Sequence, residues 1–161
     1  MLQATIQTAL TARQIVIGSV QAIPESLFDV QPQGASNTIR WNIGHQITML
    51  NWFLAPIGPV MNELPETYNL LFISGTKPSD WTIAPPGKEE LLERLSAQFG
   101  QLMKLTPEAL NHTLNKPLTM GPLEFRTAAE AFSFAFIHEA VHLGVISSLV
   151  KQVNQQASQQ A

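Results

Sequence analysis

The run from Ala128 to Val150 is apolar along most of its length, and it carries His138-Glu139-Ala140-Val141-His142 at its middle. A segment of that length with Thr127-Ala128-Ala129-Glu130 at its start reads as a capped helix, the Thr and Glu side chains satisfying each other's backbone donors. Residues four apart lie one turn up the same helix face, so both imidazoles can point at one spot. Two nitrogens converging on a point suit a transition metal, because neutral imidazole is a common ligand for zinc, copper, nickel and iron. The helix is expected over about Thr127 to Val153. Its inward stripe is Ala131, Phe134, Ala135, His138, His142, Val145, Ile146 and Leu149, which puts both histidines on the buried face. Residues 154–161, made of Asn, Gln, Ala and Ser, are expected to fray as a polar tail.

The remaining apolar residues also recur at helical spacing. Leu2, Ile6, Leu10, Ile17 and Val20 mark a first helix to about Ala22, which Pro24 stops. A turn through Glu25 to Phe28 follows. Ser36-Asn37-Thr38 supplies cap chemistry for a second helix, about Thr38 to Ala55, with one stripe of Ile39, Ile43, Ile47, Leu50 and Leu54. Trp41, His45 and Trp52 lie beside that stripe, so this helix needs neighbours on most sides. The stretch 56–87 is rich in Pro, Gly, Asn and Ser around an apolar island at Tyr68 to Ile73, and reads as a long crossover with a little helix inside. The island would lid a site or cover a subunit interface. A third helix is expected from about Lys88 to Lys104 with Leu91, Leu92, Leu95, Phe99 and Met103 inward. Thr106-Pro107-Glu108 then starts a short turn, and Asn111 to Phe125 is irregular or a small hairpin.

With no sustained strand alternation, the expected fold is all-α: a four-helix bundle with a long crossover between helices two and three, in up-down-down-up order. One domain over residues 1–153 accommodates it. At 45% hydrophobic and 13% charged, much of this 161-residue chain must be buried in its own core or at a subunit interface. A net charge of −3 argues against a nucleic-acid partner, and the lack of cysteine removes disulfides and thiolate ligands. Met1-Leu2-Gln3-Ala4-Thr5 has no signal-peptide pattern, and no segment offers about 18 uninterrupted apolar residues. The expectation is a soluble, cytoplasmic protein with no membrane partner.

His-Glu-x-x-His is the pattern of zinc peptidases, in which the Glu is the general base. Here no Asp, Glu or His follows His142, and no sheet is expected to hold an extended peptide. A third ligand is available upstream instead. His45 follows Gly44, which costs a helix about 1 kcal/mol relative to alanine and would let a ligand or another helix come close. A bundle packing helix two on helix four brings His45 to His138 and His142. Glu139, one position off the pair, would orient a ligand, hold a water or pair with a neighbouring helix. Trp41 and Trp52 read as core, with Trp41 also placed to line a pocket beside His45. His112, in a polar loop, reads as solvated. Arg40 and Arg126 at helix starts oppose the helix dipole, which calls for a carboxylate or an anionic group nearby.

Asn37-Thr38-Ile39-Arg40-Trp41-Asn42-Ile43-Gly44-His45 and His138-Glu139-Ala140-Val141-His142-Leu143-Gly144 together resemble the DinB/YfiT-like superfamily. The resemblance covers nearly the whole chain. It implies an up-down-down-up four-helix bundle, often dimeric, with a divalent metal held by one histidine of helix two and two of helix four, here His45, His138 and His142. It implies Zn or Ni as the metal and a small-molecule substrate. Relatives of assigned activity include transferases and isomerases that use bacillithiol, mycothiol or glutathione. The expected function is thus thiol S-transfer or hydrolysis, with Glu139 as a candidate catalytic or ligand-orienting residue. A non-catalytic, metal- or ligand-binding dimer in a stress response is the alternative. Where relatives often have Gly-Gln after the second histidine, this chain has Leu143-Gly144-Val145, so a glutamine contact is not expected.

Overall fold

A computed structural model describes residues 1–159; 160 and 161, the end of the expected tail, lie outside the described residues. Five helices and one hairpin follow in order: α1 (Leu2–Ala22), α2 (Ile39–Leu54), α3 (Glu66–Phe72), α4 (Lys88–Leu102), β1 (Thr113–Met120), β2 (Leu123–Thr127) and α5 (Ala128–Gln159). The fold is mostly helical. α2 packs on α5, α3 and α4, while α1 packs on α4 and α5. Core residues from all of the long helices surround α2, and it is buried from Ile39 through Leu50.

The caps form as the sequence implies. Thr38 accepts from the Trp41 amide at 3.2 Å, and Thr127 with Glu130 completes the capping box at 3.2 and 2.9 Å. Where a frayed polar tail is expected from Asn154, α5 is helical to Gln159, with Val153 buried. The stretch Ala128–Gln156 is long and apolar enough by composition to cross a membrane. In this fold that composition serves a helix whose Ala131, Phe132, Ala135, Ile146 and Leu149 enter the core.

Residues 113–127 form an antiparallel hairpin, one of the two readings left open for Asn111 to Phe125, and it adds a two-stranded sheet to the expected all-α fold. Gly121 turns it with φ 57°, and the register slips between Thr113 and Leu118, where Pro117 cannot donate to the ladder. The alternation was hidden because its burial is shallow, with Leu114 and Phe125 the buried members.

Two helix faces are rotated from their expected settings. On α4 the inward residues are Leu91, Leu95, Gln98 and Leu102, and Met103 is exposed. Gln98 is admitted because its amide donates to the Ile47 carbonyl (2.8 Å) and Asn51 Oδ1 (2.7 Å). On α5 the inward residue at the centre is Glu139, not the histidines. His138 and His142 lie half-buried at the edge of that face, and Val145 is exposed. Glu139 can face inward because Arg13 of α1, itself fully buried, puts Nε 3.1 Å from Oε1. The α1 face is accordingly Ile6, Ala9, Arg13, Val16 and Val20.

The 56–87 crossover is organised rather than loose. Its apolar island is α3, with Tyr68, Leu71 and Phe72 buried against α2. Those three residues join the core, while Leu70 and Ile73 of the same island are exposed.

Candidate metal centre

His45 reaches the site from α2, and His138 and His142 from successive turns of α5. One ligand nitrogen from each lies within 4.8 Å of the others, and among the described residues this is the one such group. Nitrogens at the corners of a triangle of that size sit up to about 2.8 Å from its centre. Each would move inward by less than about 1 Å to reach the roughly 2.0–2.1 Å of a zinc–imidazole bond. The three residues that the sequence nominated are therefore brought together.

Two of the rings are held by hydrogen bonds that set their tautomers. His45 Nδ1 lies 2.7 Å from the Phe72 carbonyl oxygen, which can only accept, so Nδ1 carries the proton and Nε2 presents its lone pair. His142 Nδ1 lies 2.8 Å from Asn42 Oδ1. The Asn42 amide is oriented by its own Nδ2, which donates to the Thr38 carbonyl at 2.8 Å, so Oδ1 must face His142. His142 thus also donates through Nδ1 and keeps Nε2 free. Outer partners of this kind typically anchor metal-ligating histidines.

Neither partner was singled out from sequence. Asn42 stands one turn before His45, a signal that was present but carried no role without His142 beside it. The Phe72 carbonyl gives no sequence signal at all.

Gly44 explains how α3 comes near enough to serve His45. A Cβ built at Gly44 would sit 2.5 Å from three carbons of the Phe72 ring, which is fully buried. Only glycine leaves room for that ring. Trp41 stacks on His45, with centroids 4.5 Å apart and planes 14° apart, and donates from Nε1 to Thr76 at 2.9 Å. Phe53 packs edge-on against His138. Trp52 lies at the margin of the core, away from the histidines.

Burial keeps the cluster unprotonated. It lowers the pKa of His45, while the rising charge of neighbouring imidazoles adds to burial in lowering His138 to about 4 and His142 to about 3. At neutral pH the three are neutral donors, the form a metal requires.

Glu139 makes its contact with Arg13 in the core. Burial raises its pKa, opposed by the Arg13 charge, and lowers that of Arg13, opposed by Glu139. A peptidase base would need its carboxylate beside the metal, and the carboxylate of Glu139 is not in the cluster. His112 is exposed in the turn before the hairpin, apart from the site. The two helix-start arginines find carboxylates. Arg40 binds Asp29 through two hydrogen bonds of 2.7 Å and the Pro86 carbonyl at 2.6 Å, and Arg126 meets Glu124 at 2.7 Å.

A cavity of about 680 Å³ opens onto the three histidines, with Trp41, Asn42 and Val145 in its wall. The cluster is therefore reachable by a small molecule. The donor set, its neutral state and its held tautomers fit a metal ion.

In comparison with protein families, the DinB superfamily matches residues 9–146, a span that includes all three histidines. No curated protein matches the chain. The chain belongs to the DinB superfamily.

Proposed function

We propose that this DinB-superfamily chain is a metal-dependent enzyme that uses His45, His138 and His142 to hold one Zn²⁺ or Ni²⁺ for thiol S-transfer or hydrolysis. The observation that carries the reading is the pair of held tautomers. Phe72 and Asn42 each occupy an Nδ1, so that Nε2 of His45 and of His142 is left to a ligand beside His138. A divalent ion bound there would lower the pKa of a coordinated thiol or water toward neutrality.

The chain's own residues do the rest. Trp41 shields one face of His45, and the neutral imidazoles add no charge to offset that of a cation. The cavity admits a small molecule to the cluster. Glu139 is assigned a positioning role, setting the rotation of α5 through Arg13.

In this reading α1, α2, α4 and α5 form a four-helix bundle in up-down-down-up order, the long 55–87 connection letting α2 and α4 run parallel. A second copy would cover Ile137, Val141 and Val145, an exposed apolar stripe at four-residue spacing on α5. A monomer in sedimentation at micromolar concentration would dismiss that pairing.

The deciding experiment is elemental analysis of tag-free protein. About one Zn or Ni per chain is expected, lost in His45→Ala, followed by metal-dependent conjugation of a thiol or hydrolysis of an ester. Wild-type protein that neither carries nor takes up either ion would overturn the reading. Full activity in His142→Ala would do so equally.

A further inference from the structure

Two of the three histidine rings have an outer hydrogen bond, and among the described residues His138 has none. Phe72 holds His45 and Asn42 holds His142, while Phe53 packs edge-on against the His138 ring. Apolar packing is non-directional, so it leaves the placing of His138 to the backbone that carries it.

That backbone is tied to α2 by Gln46. The Gln46 side chain is buried, and its Nε2 donates to the Glu139 carbonyl at 2.9 Å, a bond across 93 residues. Gln46 follows His45 and Glu139 follows His138, and adjacent helix residues differ in height by about 1.5 Å. The bond therefore joins the two ligand-bearing helices at the level of the ligands. A carbonyl oxygen has two lone pairs, so Glu139 accepts from Gln46 without giving up a bond within its own helix. Apart from the Asn42 contact, which ends on a ligand, no other side-chain hydrogen bond links α2 to α5 among the described residues.

We propose that Gln46 is a positioning residue of the metal centre: its bond to the Glu139 carbonyl fixes the α5 turn against α2 and so sets the reach from His138 to His45. The proposal rests on the metal reading. Metal sites hold their ligand distances to within about 0.2 Å, and a functional constellation to within about 0.5 Å. Without the Gln46 donor, only non-directional packing resists a slide of that size between the two turns.

Gln98 of α4 separates this role from a general contribution to the core. It too is buried, its Nε2 also donates to an α2 carbonyl, that of Ile47, and like Gln46 it leaves Oε1 without a partner. Its helix carries no ligand, so the same chemistry there has no metal site to position.

The test compares Gln46→Met and Gln46→Leu with Gln98→Met. Zn²⁺ affinity is measured by competition with a chromogenic chelator, and the geometry of bound Co²⁺ is read from its visible absorption. In both Gln46 variants Zn²⁺ affinity should fall about 10–100-fold, the usual cost of losing an outer partner, and the cobalt bands should weaken as water replaces His138. Gln98→Met should keep the wild-type affinity and bands. The metal-free melting temperature of the Gln46 variants should fall no further than that of Gln98→Met. Wild-type affinity and bands in both Gln46 variants, or equal losses in Gln98→Met, would overturn the proposal while leaving the metal site standing. Failure of both Gln46 variants to fold would do the same, since Gln46 would then be a structural residue. Wild-type protein that takes up neither Zn²⁺ nor Co²⁺ would overturn the metal reading along with it.

Discussion

Gly44→Ala should weaken the metal site through a residue that touches no ligand. The new Cβ would lie 2.5 Å from the Phe72 ring, against about 3.5–4.0 Å for a comfortable carbon contact, so ring and helix must part by about 1 Å or more. Phe72 is fully buried and cannot swing into solvent. Displacing α3 by that distance would stretch the 2.7 Å bond from His45 Nδ1 to the Phe72 carbonyl beyond hydrogen-bonding range. Overpacking costs about 1–3 kcal/mol, and alanine returns about 1 kcal/mol of helix propensity. The net is a loss of about 0–2 kcal/mol, or up to about 8 °C in melting temperature at 2–4 °C per kcal/mol. Metal affinity should fall about 10–100-fold, the usual cost of losing an outer hydrogen bond. Gly18→Ala is the control. It makes the same change in mid-helix with nothing within 4 Å of the new methyl, and should stabilise by about 0.4–1 kcal/mol with metal affinity unchanged. Thermal melts and competition with a chromogenic chelator measure both quantities. If Gly44→Ala matches Gly18→Ala in both, the account of Phe72 as the anchor of His45 is wrong.

Arg13→Met leaves the Glu139 carboxylate buried without its partner and should cost about 3–5 kcal/mol in urea unfolding, whereas Arg13→Met/Glu139→Leu should recover most of it. A single-mutant loss under about 1 kcal/mol would show that the pair is not coupled. Metal-stripped protein should lose stability as pH falls from about 6.5 toward 4. The unfolded chain takes up protons on histidines that the fold keeps neutral, at about 4 for His138 and about 3 for His142. His138→Asn/His142→Asn should flatten that slope in urea midpoints; parallel slopes would refute the assignment.

The helices, their caps and the identity of the three histidines were legible in the residues. Helical periodicity and capping are local, so Thr38, Thr127 and Glu130 announce their roles within one turn. Gly44 could be read as a point of close approach, although not which side chain would approach. Helix rotation was less legible. Apolar residues occur on both sides of the true faces of α4 and α5, and a buried glutamine or glutamate is invisible until its partner is known. Gln98 needed Ile47 and Asn51, and Glu139 needed Arg13.

By itself, then, the sequence determined which segments are helices and which side chains are able to bind a metal, because spacing and side-chain chemistry are properties of neighbours along the chain. Tertiary structure alone decided that His45 meets His138 and His142, that Phe72 and Asn42 hold their tautomers, and that Glu139 turns away to Arg13. Those outcomes depend on pairings across 27 to 126 residues. Packing and the desolvation of polar groups, rather than local preference, select among such pairings.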